Sequence, residues 1–292
     1  MKIKVASTQY FLRPVSSFDD FACQVGTIVR TAASYRVGLL LFPEYFTCQL
    51  LSLFPPDEIM SKSIRRLAEY RLEFIELMSE LASIQGMYIV AGTMPSAEGS
   101  KVFNDSFIFS PGGKFGVQGK IQMTRFETEE WLISPRDELK VFDTDMGKLA
   151  VNICYDVEFA EFARTAALSG ARLLLVPSCT DDRQGFVRVR YCAQARAIEN
   201  QLYVIQSPTV GSLPDFPDLS LNYGLASVLT PSDYGFARDG ILAQGEPNQE
   251  TLVIAEIDLT SLEEARQNGT VRPLLDRSRR DTSDIEAQVE SL

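Results

Sequence analysis

The run Val37-Gly-Leu-Leu-Leu-Phe-Pro-Glu44 sets an unbroken apolar strand directly against a carboxylate. Four consecutive apolar residues, Leu39 to Phe42, leave no polar face, so this strand must be covered on both sides. The run 173–176, Leu-Leu-Leu-Val, makes the same demand. A sheet with helices on one side and a second sheet on the other satisfies both, which predicts a layered α/β sandwich. Outward from this run the spacing predicts a strand over 2–8 and a helix over 18–35. An amphipathic helix is expected over 61–85, carrying Ile64, Leu67, Leu72, Ile75, Leu77 and Leu81 among charges. Gly86 would cap it before a strand over 87–92. Hairpin strands follow over 103–110 and 149–153, each beside a turn signal, Pro111-Gly-Gly and Met146-Gly147. The alternation then resumes with a helix over 158–169, a strand over 171–176, a helix over 187–200 and a strand over 202–207. Two similar halves are expected, with a late strand over 252–258.

The chain has 292 residues, 45% hydrophobic and 23% charged, enough for a large core. No repeat or Pro/Gly-rich linker divides it, so 1–292 is expected to be one domain. Residues 260–292 are charged and poor in apolar side chains, and are expected to form a tail that crosses the surface or contacts a neighbouring subunit. No apolar run approaches the roughly 18 residues needed to span a bilayer, and no long apolar stretch follows the basic residues at the start. A cytoplasmic protein with no membrane partner is expected. Five cysteines at irregular spacing read as reduced thiols. A net charge of −11 argues against a nucleic-acid partner.

The chain has no histidine. That excludes Ser-His-Asp and Cys-His catalysis and histidine-ligated zinc, so any proton shuttle must use carboxylate, lysine, tyrosine or thiol. Three polar sites sit where apolar strands end: Glu44, Cys154 after Leu149-Ala-Val-Asn-Ile, and Ser178 with Cys179 after Leu173-Leu-Leu-Val-Pro. In open α/β sheets that edge binds ligands. Lys120 follows a hairpin that can deliver its ammonium to the same edge. Singly, each reads as an ordinary feature: a solvated turn carboxylate, a small buried thiol, a surface lysine. A Rossmann or phosphate-loop function lacks its Gly-rich signature.

Four blocks in order change that reading: Leu41-Phe-Pro-Glu-Tyr45; Phe103-Asn-Asp-Ser-Phe-Ile-Phe-Ser-Pro-Gly-Gly113 leading to Lys120; Val151-Asn-Ile-Cys-Tyr-Asp-Val-Glu-Phe159; and Ala195-Arg-Ala-Ile-Glu-Asn200. With them the chain resembles the carbon-nitrogen hydrolase (nitrilase) superfamily. The resemblance implies a four-layer αββα sandwich of the nitrilase type, with a Glu-Lys-Cys triad on Glu44, Lys120 and Cys154. It implies a cysteine hydrolase that cleaves a non-peptide carbon–nitrogen bond of a small amide through a thioester, with no cofactor and no metal. Pairing into a homodimer or higher homo-oligomer is also implied. Two departures stand out. Gln118-Gly119-Lys120-Ile121-Gln122 lacks the aromatic or basic residue that commonly precedes the lysine and the histidine two positions after it. The supporting glutamate has three candidates, Glu127, Glu129 and Glu130; Glu127 is chosen, with Phe126 anchoring it inward.

In that chemistry the Lys120 charge and a following helix N-terminus would lower the thiol pKa. Glu44 would act as general base and acid, and Lys120 with the Tyr155 N–H would hold the oxyanion. Cys23, Cys48 and Cys192 are expected to pack, and Cys179 to form pocket wall. The segment Leu213-Pro-Asp-Phe-Pro-Asp218, with Asn222-Tyr-Gly224, is a candidate pocket loop or a surface turn. Two other readings compete: an N-acyltransferase that passes the same thioester to an amine, and a non-catalytic α/β ligand-binding subunit.

Overall fold

The computed structural model describes residues 1–279 and 287–290. Its first half runs β1 (Lys2–Leu12), α1 (Phe18–Ser34), β2 (Leu39–Phe42), α2 (Met60–Leu67), α3 (Arg71–Gln85) and β3 (Tyr88–Ala91). Strands β1, β2 and β3 pair in parallel. β4 (Met94–Glu98), β5 (Lys101–Phe109) and β6 (Phe115–Gly119) extend that sheet antiparallel, and α4 (Arg125–Glu129) precedes the short β7 (Ile133–Ser134).

The second half opens with β8 (Val141–Phe142) and β9 (Leu149–Val151). It continues through α5 (Ala160–Leu168), β10 (Leu173–Ser178), α6 (Arg183–Glu199) and β11 (Tyr203–Gly211). Here β9, β10 and β11 are parallel, so the two halves repeat one winding. Antiparallel β12 (Ser227–Leu229) and β13 (Ile241–Gln244) complete the second sheet. β14 (Thr251–Asp258) returns to pair antiparallel with β1, and α7 (Leu259–Asn268) and α8 (Pro273–Arg279) follow. The sheets join where residues 10–12 of β1 pair in parallel with 209–211 of β11.

The opening run divides its side chains between two cores. Leu39 and Leu41 pack with Val5, Val90 and the residues of β9 to β11, between the sheets. Leu40 and Phe42 pack with Phe21, Val25, Phe74 and Met78, under α1 and α3. Ala163, Val189 and Ala193 of α5 and α6 cover the outer face of the second sheet, which completes the four layers. Full burial of a leucine or phenylalanine side chain contributes about 1.5–3 kcal/mol, so this two-sided strand is a main source of stability.

Three expectations change. The helix expected over 61–85 is two, because the chain tightens into a 3-10 turn at Ala68–Tyr70. That turn brings the Tyr70 ring parallel to Phe18 at 5.8 Å, a contact that a continuous helical period does not reveal. Gly86 does cap the second helix, at φ +63°. The segment after residue 259 does not begin as a surface crossing. Helix α7 buries Leu259, Leu262 and Ala265, and Arg266 donates to the backbone carbonyls of Gln201 and Ala171. Of the expected tail, residues 280–286, 291 and 292 lie outside the described residues. Third, Cys23 is exposed on α1 instead of packed, whereas Cys48 is buried. Among the described residues no helix is long and apolar enough to cross a membrane.

Candidate active site

The C-terminal ends of β2, β6, β9 and β10 converge on one cavity of about 640 Å³, lined by Glu44, Lys120, Glu127, Cys154, Tyr155 and Cys179 among others. Past β2 the chain is fixed tightly. The Tyr45 N–H donates to Thr93 Oγ1 at 2.9 Å, and the Thr209 hydroxyl to the Glu44 carbonyl at 2.6 Å. Gly92 has φ +47°, and a Cβ there would lie 1.9 Å from the Pro43 carbonyl oxygen; only glycine lets the β3 end approach this turn. Glu44 therefore enters the cavity from a rigid turn. Its Oε1 accepts from Lys120 Nζ at 2.8 Å and from Asn104 Nδ2 at 2.9 Å, and its Oε2 from the Cys179 N–H at 3.1 Å.

Lys120 leaves β6 with its own N–H on the Asn104 carbonyl at 2.8 Å. Its ammonium bridges Glu44 and Glu127, reaching the latter at 2.7 and 2.8 Å. Glu127 also accepts from the Tyr45 hydroxyl at 2.7 Å and from the Thr124 N–H and hydroxyl at 2.9 and 2.8 Å. What turns Glu127 inward is this capping box with Thr124 at the start of α4. Phe126 does not anchor it: that ring is partly exposed and packs on Trp131 at 4.9 Å. Glu129 is exposed and paired with Arg125, and Glu130 is exposed on the cavity rim.

Cys154 ends the β9 segment in a left-handed conformation, φ +48°, and opens a 3-10 turn, Cys154–Glu158. A non-glycine residue held there costs on the order of 1–3 kcal/mol, and the bend turns the thiol into the cavity. Its Sγ lies 3.7 Å from the Cys179 carbonyl oxygen, and the thiol also faces Glu44. Tyr155 is second in the turn, where a helical segment leaves its N–H without an internal acceptor. Asp156 holds the assembly together. Its carboxylate accepts from the N–H groups of Ile121 (3.2 Å), Gln122 (2.7 Å) and Ile153 (3.2 Å), tying the chain after Lys120 to the chain before Cys154. Gln118, in the departing stretch, instead bridges to Glu138 and Lys140 through its amide at 2.8 and 2.7 Å.

Burial dominates the electrostatics. It pushes Glu44 above the ordinary carboxylate range, the Glu127 charge adding to the effect and Lys120 opposing it. Burial also acts upward on Glu127, but there Lys120, Tyr45 and Thr124 outweigh it and hold the carboxyl low. Lys120 is held well above its usual range because the two carboxylates overcome its burial. The thiol contradicts the sequence expectation: burial and the Glu44 charge push Cys154 well up, and the Lys120 charge only partly offsets them. Its resting form is the neutral thiol.

Sequence reasoning named Glu44, Lys120, Cys154, Tyr155 and Glu127, and all line this cavity. It assigned nothing to Asn104, Asp156 or Tyr45, although each stood inside a quoted block. Residues 217–222 do border the cavity, and the Trp131 indole N–H fixes Asp218 at 2.8 Å.

The αββα sandwich, with a thiol, an ammonium and two carboxylates gathered at its sheet edges, is a fold of the nitrilase type. The chain belongs to the carbon-nitrogen hydrolase family, whose model matches residues 4–267. It is 43% identical to the probable hydrolase YhcX of Bacillus subtilis (strain 168) over 95% of its length, and spans about half, 54%, of that relative. It is 29% identical to omega-amidase NIT2-A of Xenopus laevis over 98% of both chains. Among solved structures it resembles Nit3 of Saccharomyces cerevisiae, a member of branch 10 of the nitrilase superfamily, with TM-score 0.72 and 27% identity. That match covers 91% of this chain and 93% of Nit3.

Proposed function

We propose that this chain hydrolyses the carbon–nitrogen bond of a small primary amide through a Cys154 thioester. One observation carries the reading: the Cys154 thiol shares a cavity floor with a carboxylate of raised pKa and an ammonium clamped between two carboxylates. The omega-amidase name of NIT2-A supports an amide as substrate. Because the thiol rests protonated, attack is coupled to proton transfer. Glu44 takes the Sγ proton as sulfur bonds to the carbonyl carbon. The oxyanion falls between Lys120 Nζ and the Tyr155 N–H, donors of a kind that each lower such a barrier by about 2.7–4 kcal/mol. Collapse breaks the C–N bond, and Glu44 returns the proton to the leaving nitrogen, so ammonia departs and the thioester remains. Glu44 then removes a proton from water as its oxygen attacks the thioester, and passes that proton to the sulfur as the C–S bond breaks, giving the free acid and the thiol. Glu127 neutralises and aims Lys120 throughout.

The test is ammonia release from short aliphatic and ω-amides, with acid and ammonia formed in equal amounts. Cys154→Ala is expected to abolish turnover while the circular dichroism spectrum is kept; turnover near wild type would overturn the assignment. Added amine that diverts the acyl group into a new amide would instead mark acyl transfer.

A further inference from the structure

We infer that the cavity selects an amide whose acyl chain ends in a protonated amine, and that Asp181 and Asp182 set this preference; the inference rests on the amide-hydrolase reading above. Outside the buried group the wall carries Glu130, Glu158, Asp181, Asp182 and Asp218 against only Arg125 and Arg188. Both arginines are already matched. Arg188 Nε donates to Glu158 at 2.8 Å, and Arg125 Nε to Glu129 at 2.9 Å. Lys120 is shared by two glutamates, so the floor offers no unmatched cation. With Glu158 taken by Arg188, the carboxylates of Glu130, Asp181, Asp182 and Asp218 remain, so the field that a substrate tail meets is negative.

Position strengthens the effect. Asp181 lies two residues beyond Cys179, whose carbonyl oxygen meets the Cys154 sulfur, so it lines the cavity close to the reacting group. Asp182 caps α6, its carboxylate accepting from the Gly185 N–H at 2.6 Å, so it is held at the cavity wall. The aromatic rings of Tyr45, Phe126, Trp131 and Tyr155 line the same space, and ring faces attract an ammonium. Among the described residues no three carboxylate or thiol groups converge as a metal ion requires, so the acidic wall suits a dispersed organic cation. An acyl chain ending in carboxylate meets the same field as repulsion.

The experiment compares three amides of similar length with the full chain at neutral pH: 5-aminopentanamide, pentanamide and 4-carbamoylbutanoate. The expected kcat/KM for the amine exceeds that for the carboxylate by about tenfold or more, equivalent to about 1.4 kcal/mol. The ratio should fall as salt is raised and should fall in Asp181→Asn. Turnover of pentanamide with an equal or reversed charge preference overturns the inference and leaves the amide-hydrolase reading standing; a carboxylate preference would assign the tail to Arg188. A second readout does not need turnover. Aminoethyl and sulfonatoethyl methanethiosulfonate each place a thioalkyl group on the Cys154 sulfur, the thiol proton going to solvent and methanesulfinate leaving. Labelling of the Cys154 peptide is read by mass. The cationic reagent should be favoured about tenfold more than it is by a small free thiol, by local field enrichment. A ratio equal to that of the free thiol overturns the inference even where no amide in the series is consumed, an outcome that would count against the proposed function as well.

Discussion

At the scale of single residues, the informative fact is that Cys154 is not a preformed thiolate. Sequence placed a positive charge and a helix N-terminus beside it and so pointed to a lowered pKa. Burial and the nearby Glu44 carboxylate run the other way, and they are visible only in three dimensions. In the proposed mechanism, activity depends on Glu44 being ionised while the thiol is protonated. The sign follows: kcat/KM should fall on the acid side as Glu44 takes a proton, and the limb should lie above the usual carboxylate range because burial and Glu127 raise that pKa. No loss from thiol ionisation should appear near neutral pH. In Glu127→Gln one negative neighbour of Glu44 is gone, so Glu44 ionises more easily and the acid limb should move to lower pH, with kcat also reduced. A pH–rate profile checks this; a limb that stays put or rises would show that Glu44 is not the titrating group.

At the scale of elements, two short turns position the chemistry, and neither was fully read from sequence. Thr124-Arg-Phe-Glu127 is a capping-box pattern, a signal that favours Glu127 over Glu129 and Glu130 on hydrogen-bonding grounds. Glu127 is the one of the three that meets Lys120, and Thr124, not Phe126, turns it inward. The turn at Cys154 was expected as a helix start; its left-handed φ has no signature in a cysteine. Asp156 clamps that turn to the Lys120 segment, and burial pushes its pKa up to about 7, against three N–H donors that oppose the shift. A carboxyl raised from 3.8 is protonated more readily when folded. Its contribution to stability is therefore fully present below that value and is lost as pH rises through about 7. Asp156→Asn should flatten the fall in unfolding free energy between the unfolded value of 3.8 and about 7, measured by urea titration. An unchanged slope would place the titration elsewhere.

At the scale of the whole molecule, the layering was legible because Leu39 to Phe42 and the run 173–176 admit no solvent face. The repeated strand–helix winding was legible because its helices are long enough to show a period. Strands of two residues, β7 and β8, are too short for any period to register. The division of 61–85 into two helices depends on Phe18, a distant partner. For the site, Glu44 and Cys154 were legible as strand ends. Lys120 reaches them only through the pairing of β5 with β6 and the packing of the two sheets. Because that ammonium joins buried carboxylates from separate parts of the chain, Lys120→Met should lower global stability by about 3–5 kcal/mol, the cost of leaving buried charge unpaired. A denaturation midpoint shifted by only a small fraction of that would mean that one of the carboxylates takes up a proton instead. The central claim is a covalent acyl group on Cys154. Rapid quenching during turnover, followed by mass analysis of the Cys154 peptide, tests it most directly. The account predicts a peptide heavier by the acyl group of whichever amide was supplied, absent in Cys154→Ala; turnover with no adduct on that sulfur, or an adduct on another residue, would contradict it.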